Sequence, residues 1–242
     1  MPFRMKAYDE VVERDTDWRK HSHPFHELLW NGSGASATVV GSRVWTITPS
    51  LGLWMPAGTL HSGSATADTW FRATFFGFHT TPSLSDTPMV VEITPLLRLL
   101  PERLGESGLS VMSREVTEAM VLDVLRPSPH ELLVHRPASA LLRPIADAVT
   151  AAPGDRRTLA DRAAELGVST RTISRAFVAE TGTSFVRRVA SVCAQHAIAL
   201  LTRGREVEAV ALGVRYGYGS ASAFGAAFRR TTGLNAGALR AS

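Results

Sequence analysis

The sequence predicts an α+β multidomain protein, with an antiparallel β-barrel followed by an all-α domain. Short runs of β-branched and aromatic residues, separated by Gly and Pro, dominate the chain up to about residue 93. Beyond that point, apolar residues recur with the period of a helix. The charge also changes sign, because residues 1–135 hold 11 Lys+Arg and 15 Asp+Glu, whereas residues 136–242 hold 15 and 7. Two halves of opposite charge indicate two domains with different partners.

The composition excludes several classes of protein. The 242 residues are 45% hydrophobic and 20% charged, which is the balance of a globular chain. No apolar run approaches the ~18 residues of a membrane span, and the amino terminus lacks the pattern of a secretory signal. Cys193 is the only cysteine, which excludes an internal disulfide and a thiolate zinc cluster. We therefore expect a cytoplasmic protein with no membrane partner.

Three segments carry the strand signal in the first half. Residues 37–48 and 69–78 are β-branched and aromatic, and residues 89–93 form a shorter run. Strands of this length, with Gly and Pro between them, predict a small antiparallel barrel or sandwich over residues 1–93.

A helical segment over residues 94–135 follows the strands. Thr94 and Pro95 form a helix start, and Ser110 opens a second helix that runs to about Leu125. These helices either cover the barrel or form a dimer interface, and the sequence leaves both roles open. The proline-containing stretch 126–138 marks the junction with the basic segment 136–242.

The basic segment contains two helix-turn-helix patterns. In the first, Thr158 caps a helix, Gly167 ends it, and Ser169 caps the next. The predicted inner faces are Leu159, Ala163 and Leu166 on the first helix, and Ile173 and Phe177 on the second. An ordinary helical hairpin would show the same pattern.

The second pattern follows about fifty residues later. Gly217 marks its turn, Ser220 or Ser222 caps its second helix, and Phe224 and Phe228 form the inner face. Both patterns end alike, as FVAETG and FRRTTG, and a long apolar helix over residues 185–201 separates them. Two related units joined by one helix are far more specific than either unit alone.

A wider set of positions completes the pattern. They are Leu159-Ala160, Ser169, Arg175, Phe177, Glu180-Thr181-Gly182, Ala197, Leu200-Leu201, Val210-Ala211, Gly217-Tyr218, Ser222-Ala223-Phe224, Phe228-Arg229-Arg230 and Gly233. Residues 138–240 thereby resemble the AraC/XylS family of transcription regulators. The resemblance implies seven helices in two lobes, with the second helix of each lobe in adjacent major-groove segments about 34 Å apart.

The resemblance also implies which residues meet DNA. In the first lobe these are Ser169, Arg171, Thr172 and Arg175, and in the second Ser220, Ser222, Ala226 and Arg229. Arg171 and Arg175 contact either guanine edges or phosphates. The sequence departs from the family at Cys193, at Asn235-Ala236, and by two extra residues around Arg215-Tyr216. The two extra residues either lengthen the first helix of the second unit or bulge its turn.

The first half contains a candidate metal site. His21 and His23 are two apart and face the same side of a strand. The side chain of Glu27, four residues after His23, can approach these histidines, and so can that of His61 from another strand. Three imidazoles and one carboxylate suit one divalent metal ion, such as Zn, Fe, Mn or Ni.

The spacing of these groups resembles the two motifs of the cupin family. The first appears as His21-x-His23, three residues, Glu27, six residues and Gly34, and the second as Pro56-x-Gly58-x-x-His61. The usual closing Asn and the glycine before the first motif are absent. Alternatively, the histidines contact an organic effector, and His26 replaces a ligand or lines the wall. The tryptophans of this half are either core or pocket lining, namely Trp30, Trp45, Trp54 and Trp70.

The leading hypothesis is a sequence-specific, DNA-binding transcriptional regulator whose cupin-like domain senses a small molecule or a divalent metal. Its expected partners are a double-stranded DNA operator, the effector, a second copy of the chain in a homodimer, and RNA polymerase if it activates transcription. The alternative is a metal-dependent cupin enzyme, of oxygenase or isomerase type, with an accessory basic domain. A metal-storage protein is a third hypothesis, and it leaves the doubled helix-turn-helix unexplained.

Overall fold

The computed structural model describes residues 4–155, 157–213 and 220–240. The chain forms two compact units, one from residues 4–41 and 45–131 and the other from residues 42–44 and 132–241. Within the described ranges, no helix is long and apolar enough to cross a membrane.

The first unit is built from two antiparallel sheets. Its strands are β1 (Met5–Val11), β2 (Thr16–His21), β3 (His26–Ser33), β4 (Ser36–Val40), β5 (Arg43–Ile47), β6 (Leu51–Met55), β7 (His61–Ala65), β8 (Trp70–Phe76) and β9 (Met89–Glu92). One sheet has the order β1-β8-β3-β6-β9, and the other contains β5-β4-β7-β2. From β1 to β8, strands that are consecutive in the chain thus lie in opposite sheets, and β4 and β5 are the exception, because they are neighbours in the second sheet. The predicted antiparallel β domain is confirmed.

The predicted run 37–48 is two strands rather than one. Gly41 has a φ of 59° and reverses the chain between β4 and β5. Both sides of the turn are rich in β-branched residues, so strand propensity alone does not reveal the two-residue turn between them.

Two helices pack on the first sheet. They are α1 (Pro95–Gly105) and α2 (Val111–Val124), and their N-caps are Thr94 and Ser110, as predicted. Leu97 and Val121 of these helices share one buried cluster with Trp54 and Phe76 of the strands. The helices therefore cover the β domain, and the dimer interface over residues 94–125 stays a prediction.

The second unit is helical. It holds a short strand, β10 (Leu133–His135), and the helices α3 (Arg143–Ala151), α4 (Leu159–Glu165), α5 (Thr170–Thr181), α6 (Phe185–Leu201), α7 (Val207–Gly213), α8 (Ala221–Thr232) and α9 (Ala236–Arg240). The described part of the second unit thus has the seven helices that the resemblance implies. Thr158, Ser169 and Ser220 are the N-caps of α4, α5 and α8. The predicted turn at Gly217 and the extra residues around Arg215-Tyr216 lie outside the described residues.

One predicted core position is wrong. Leu166 is 40% exposed, because α4 ends at Glu165 and Leu166 lies in the turn beyond the helix face. Arg162 of the same helix is buried, and its guanidinium donates to the Asp155 carboxylate at 3.1 Å. A charge-paired arginine is therefore buried on α4, whereas the predicted apolar residue Leu166 is exposed.

The longest helix, α6, crosses the middle of the second unit and buries Cys193. The Cys193 thiol is 3% exposed and donates to the Pro153 carbonyl at 3.2 Å. Burial raises its pKa to about 11.

We expect Cys193 to resist an aromatic disulfide reagent in the native protein near pH 8, because only the thiolate reacts. One thiol per chain should titrate after denaturation, and this serves as the control. Full reaction of the native protein within seconds would contradict the buried, protonated state.

Two glycines of the cupin-like motifs have backbone conformations that side chains disfavour. Gly34 and Gly58 both have a φ of 77°, which costs an L-residue about 1–2 kcal/mol. A Cβ on Gly34 would lie 2.7 Å from the Cα of Thr69, whereas a Cβ on Gly58 would meet no described atom within 4 Å. The two positions share a torsional cost and differ in crowding.

We expect Gly58→Ala to lower the free energy of unfolding of the first unit by about 1–2 kcal/mol. Gly34→Ala should lower it further, because the Thr69 backbone must also move. All five tryptophans lie in the first unit, so urea unfolding followed by tryptophan fluorescence measures the difference. Equal midpoints for the two variants would contradict the crowding at Gly34.

Candidate metal centre and nucleic-acid interface

The three predicted histidines of the first unit lie together. His21 ends β2 and His61 begins β7, and the two residues are direct partners in that antiparallel pair. Their ring centroids are 4.3 Å apart, and the ring of His23 lies 4.8 Å from that of His21. One ligand atom from each of the three lies within 4.8 Å of the others. The triad is therefore arranged so that it can hold a metal ion.

Backbone carbonyls orient two of these rings. His21 Nδ1 is 2.6 Å from the Arg19 carbonyl oxygen, and His61 Nδ1 is 2.9 Å from that of Thr59. A carbonyl only accepts, so each Nδ1 carries the proton and each neutral ring keeps its lone pair on Nε2. Metal-binding imidazoles are held by outer hydrogen bonds of this kind.

Glu27 reaches the triad from the other sheet. It lies on β3, and its Oε2 is 3.7 Å from His61 Nε2. This oxygen is buried and has no hydrogen-bond partner among the described residues. Burial raises the pKa of Glu27 to about 7. A buried carboxylate without a partner is costly, and a nearby cation would remove that cost.

Burial also lowers the pKa of His23 and of His61. Lowered pKa values favour neutral imidazoles, the form that binds metals. The three imidazoles, two of them oriented by carbonyls, thus fit a borderline divalent ion.

The four groups open onto a cavity of about 230 Å³. Phe71 and Phe75 of β8 and Trp18 of β2 form its apolar wall, with the rings of Trp18 and Phe71 4.8 Å apart. These aromatic residues were not predicted. The signal was present, because residues 71, 73 and 75 alternate along β8 and face one side, but the sequence does not show which side borders the histidines.

The tryptophans that were candidates for this wall lie elsewhere. Trp30, Trp45 and Trp54 are buried in the interior at 2% exposure or less. The Trp70 ring packs 4.7 Å from the Arg72 guanidinium. None of these four residues lines the cavity among the described residues.

His26 does not join the triad. Its Nδ1 accepts a hydrogen bond from the Ala57 amide at 3.0 Å, and its ring stacks on Trp54 with centroids 5.5 Å apart. That contact ties the start of β3 to the turn after β6. His26 is therefore neither a substitute ligand nor part of the cavity wall.

The predicted DNA-contacting residues of both lobes are exposed at the surface. On α5 and its cap they are Ser169, Arg171, Thr172 and Arg175, and on α8 and its cap Ser220, Ser222, Ala226 and Arg229. The two serine caps already accept hydrogen bonds, from the amides of Thr172 and Ala223. Their hydroxyl oxygens hold the helix starts, and their roles on DNA stay predictions.

The arginines of the second unit fall into two groups. Arg157 pairs with Asp155, Arg162 is buried against the same carboxylate, and Arg188 donates to the His135 carbonyl. Arg171 and Arg175, by contrast, make no hydrogen bond or ion pair within the described parts of the chain. Their guanidinium groups therefore stay available for an external partner.

Comparisons with known proteins found a matching domain family, a relative and similar solved structures. A helix-turn-helix domain family matches residues 162–242. The HTH-type transcriptional regulator NimR of Escherichia coli (strain K12) is 26% identical over 222 residues, covering 90% of this chain and 80% of the relative. The solved structure of ToxT from Vibrio cholerae covers 99% of this chain and 98% of its own, at 11% identity and a TM-score of 0.40. A probable AraC family transcriptional regulator from Rhodopseudomonas palustris CGA009 covers 43% of this chain and 96% of its own, at 26% identity and a TM-score of 0.38.

The matched domain and the relative that spans both units define a helix-turn-helix transcriptional regulator, and not an enzyme. More particularly, the chain resembles AraC-family regulators, with a two-sheet β domain ahead of its helix-turn-helix domain.

Proposed function

We propose that this regulator is controlled by an effector bound in the β domain, either a divalent metal or a small molecule. The single observation that carries the proposal is the convergence of His21, His23, His61 and Glu27 on one cavity with an aromatic wall. Regulation requires that the effector bind two arrangements of the protein with different affinities. Couplings of this kind typically amount to about 5- to 150-fold in affinity.

The proposed metal would be held by the Nε2 atoms of His21 and His61, by His23 and by Glu27. It would supply positive charge beside the buried carboxylate and a coordination position for a ligand in the cavity. If no metal is held, the same imidazoles donate and accept hydrogen bonds to an organic effector that packs on Phe71 and Phe75.

The proposed DNA face comprises α5 and α8 with their caps. Arg171 and Arg175 supply unpaired cations on the first lobe, and Arg229 supplies one on the second. Affinity for DNA should fall with salt, with a log–log slope of about −0.9 for each phosphate neutralised. Contacts with RNA polymerase and assembly into a homodimer stay predictions.

The metal proposal is tested by metal content and DNA affinity together. We expect about one divalent ion per chain in untagged protein purified without chelator, and none in His21→Ala with His61→Ala. Chelation should change the affinity of the wild-type protein for a selected DNA site by about 5- to 150-fold, and leave the double variant unchanged.

The matched control is His130→Ala, which removes an exposed imidazole from a loop of the same unit. It should keep the ion and the response. Absence of metal from the wild-type protein, even after reconstitution with Zn, Fe, Mn and Ni, would contradict a metal effector and leave an organic one.

The DNA face is tested by charge removal. We expect Arg171→Ala with Arg175→Ala to abolish specific binding while tryptophan fluorescence and helical circular dichroism stay unchanged, because both side chains are exposed. The control, Lys6→Ala with Arg14→Ala, removes two exposed charges from the β domain and should bind normally. Retained specific binding by the α5 variant would contradict its role.

A further inference from the structure

The second helices of the two lobes, α5 and α8, are here called the reading helices. They form a matched pair, so their positions can be compared one by one. Each N-cap is followed eight residues later by a buried Phe and thirteen residues later by the C-cap glycine, from Ser169 to Gly182 and from Ser220 to Gly233. In both helices the threonine before the glycine donates its hydroxyl to the Phe carbonyl, at 2.7 and 2.8 Å. Positions on α5 and α8 therefore correspond without adjustment.

The first lobe has guanidinium groups where a reading helix meets bases. Arg171 and Arg175 are the second and sixth residues of α5, and both are exposed. Four residues of helix separate them by ~6 Å on one face, or about two base-pair steps of 3.4 Å. The first turns of a recognition helix contact base edges, and Arg takes guanine O6 and N7 with two hydrogen bonds.

The second lobe has no cation at either position. Ser222 corresponds to Arg171, and Ala226 corresponds to Arg175. A serine hydroxyl accepts or donates and so fits several bases, and an alanine methyl offers only apolar contact to a thymine methyl. This half of the surface therefore has little capacity to select guanine.

The cations of α8 lie at its other end. Arg229 and Arg230 are in the last turn, and both are exposed. The corresponding positions of α5 are Val178 and Ala179. Side chains far from the helix start are poorly placed for base edges, and Arg there contacts phosphates, which carry no sequence information.

We propose that the two lobes divide recognition, so that the first selects guanines through Arg171 and Arg175, and the second holds the DNA backbone through Arg229 and Arg230. This division rests on the proposed use of α5 and α8 on DNA. The target is then a site with guanines about two base pairs apart in one half, and weak base preference in the half one helical turn away.

Selection of binding sites from random duplexes tests the division, with the full-length protein and two exchange variants. Arg175→Ala gives the first lobe the side chain of the second, and Ala226→Arg does the reverse. We expect sequence preference in one half of the wild-type site only. The wild-type protein should bind the guanine-containing site about 5- to 150-fold more tightly than a site with that guanine replaced. Arg175→Ala should abolish this difference in affinity. Ala226→Arg should create a guanine preference in the other half.

A salt titration separates base contacts from phosphate contacts. Arg230→Ala should weaken binding equally on all sequences and reduce the log–log slope by about 0.9, whereas Arg175→Ala should leave the slope unchanged. Equal preference in both halves of the wild-type site would overturn the division, as would a uniform loss in Arg175→Ala. Absence of salt-dependent DNA binding by the wild-type protein would instead overturn the proposed DNA face itself.

Discussion

The antiparallel pairing of β2 with β7 is the constraint on which the candidate site depends. It sets His21 opposite His61, and it also sets Trp18 opposite Gly63, over which the indole packs. A slip of one residue would turn one of these imidazoles to the other face of the sheet. The irregularity between Trp18 and His21 shows that this pairing is not a uniform ladder, since the strand bulges just before the histidines.

The strand order of the two sheets then sets a carboxylate and an aromatic wall against the histidines. Glu27 of β3 and Phe75 of β8 are paired in the sheet that faces the histidine strands β2 and β7. A carboxyl group and an aromatic ring therefore line the cavity next to each other. The buried Glu27 oxygen and the two carbonyl-oriented imidazoles form the polar part of the lining. A few polar groups among aromatic rings are the usual composition of a ligand site.

The helices of the second unit depend mainly on interactions between residues that are close in sequence. Side-chain caps at Thr158, Ser169 and Ser220 satisfy the first amides of their helices. Phe177 of α5 and Phe228 of α8 are buried, and they fix which face of each helix packs inward. Arginines that are needed for the fold are paired or buried, as at Arg162. Buried residues and caps thereby hold α5 and α8, and their exposed side chains are not needed for the fold.

The sequence by itself determined what depends on neighbours along the chain. The caps at Thr94 and Ser110, the long helix over residues 185–201 and the repeat of the two lobes follow from local hydrogen bonds and periodicity. Only the tertiary structure decided which faces meet. It put Trp54 in the core and Phe71 on the cavity, and it buried Arg162 while leaving Leu166 exposed. The physical reason is that strand pairing and ion pairing join residues distant in sequence, and no local pattern encodes which partner they find.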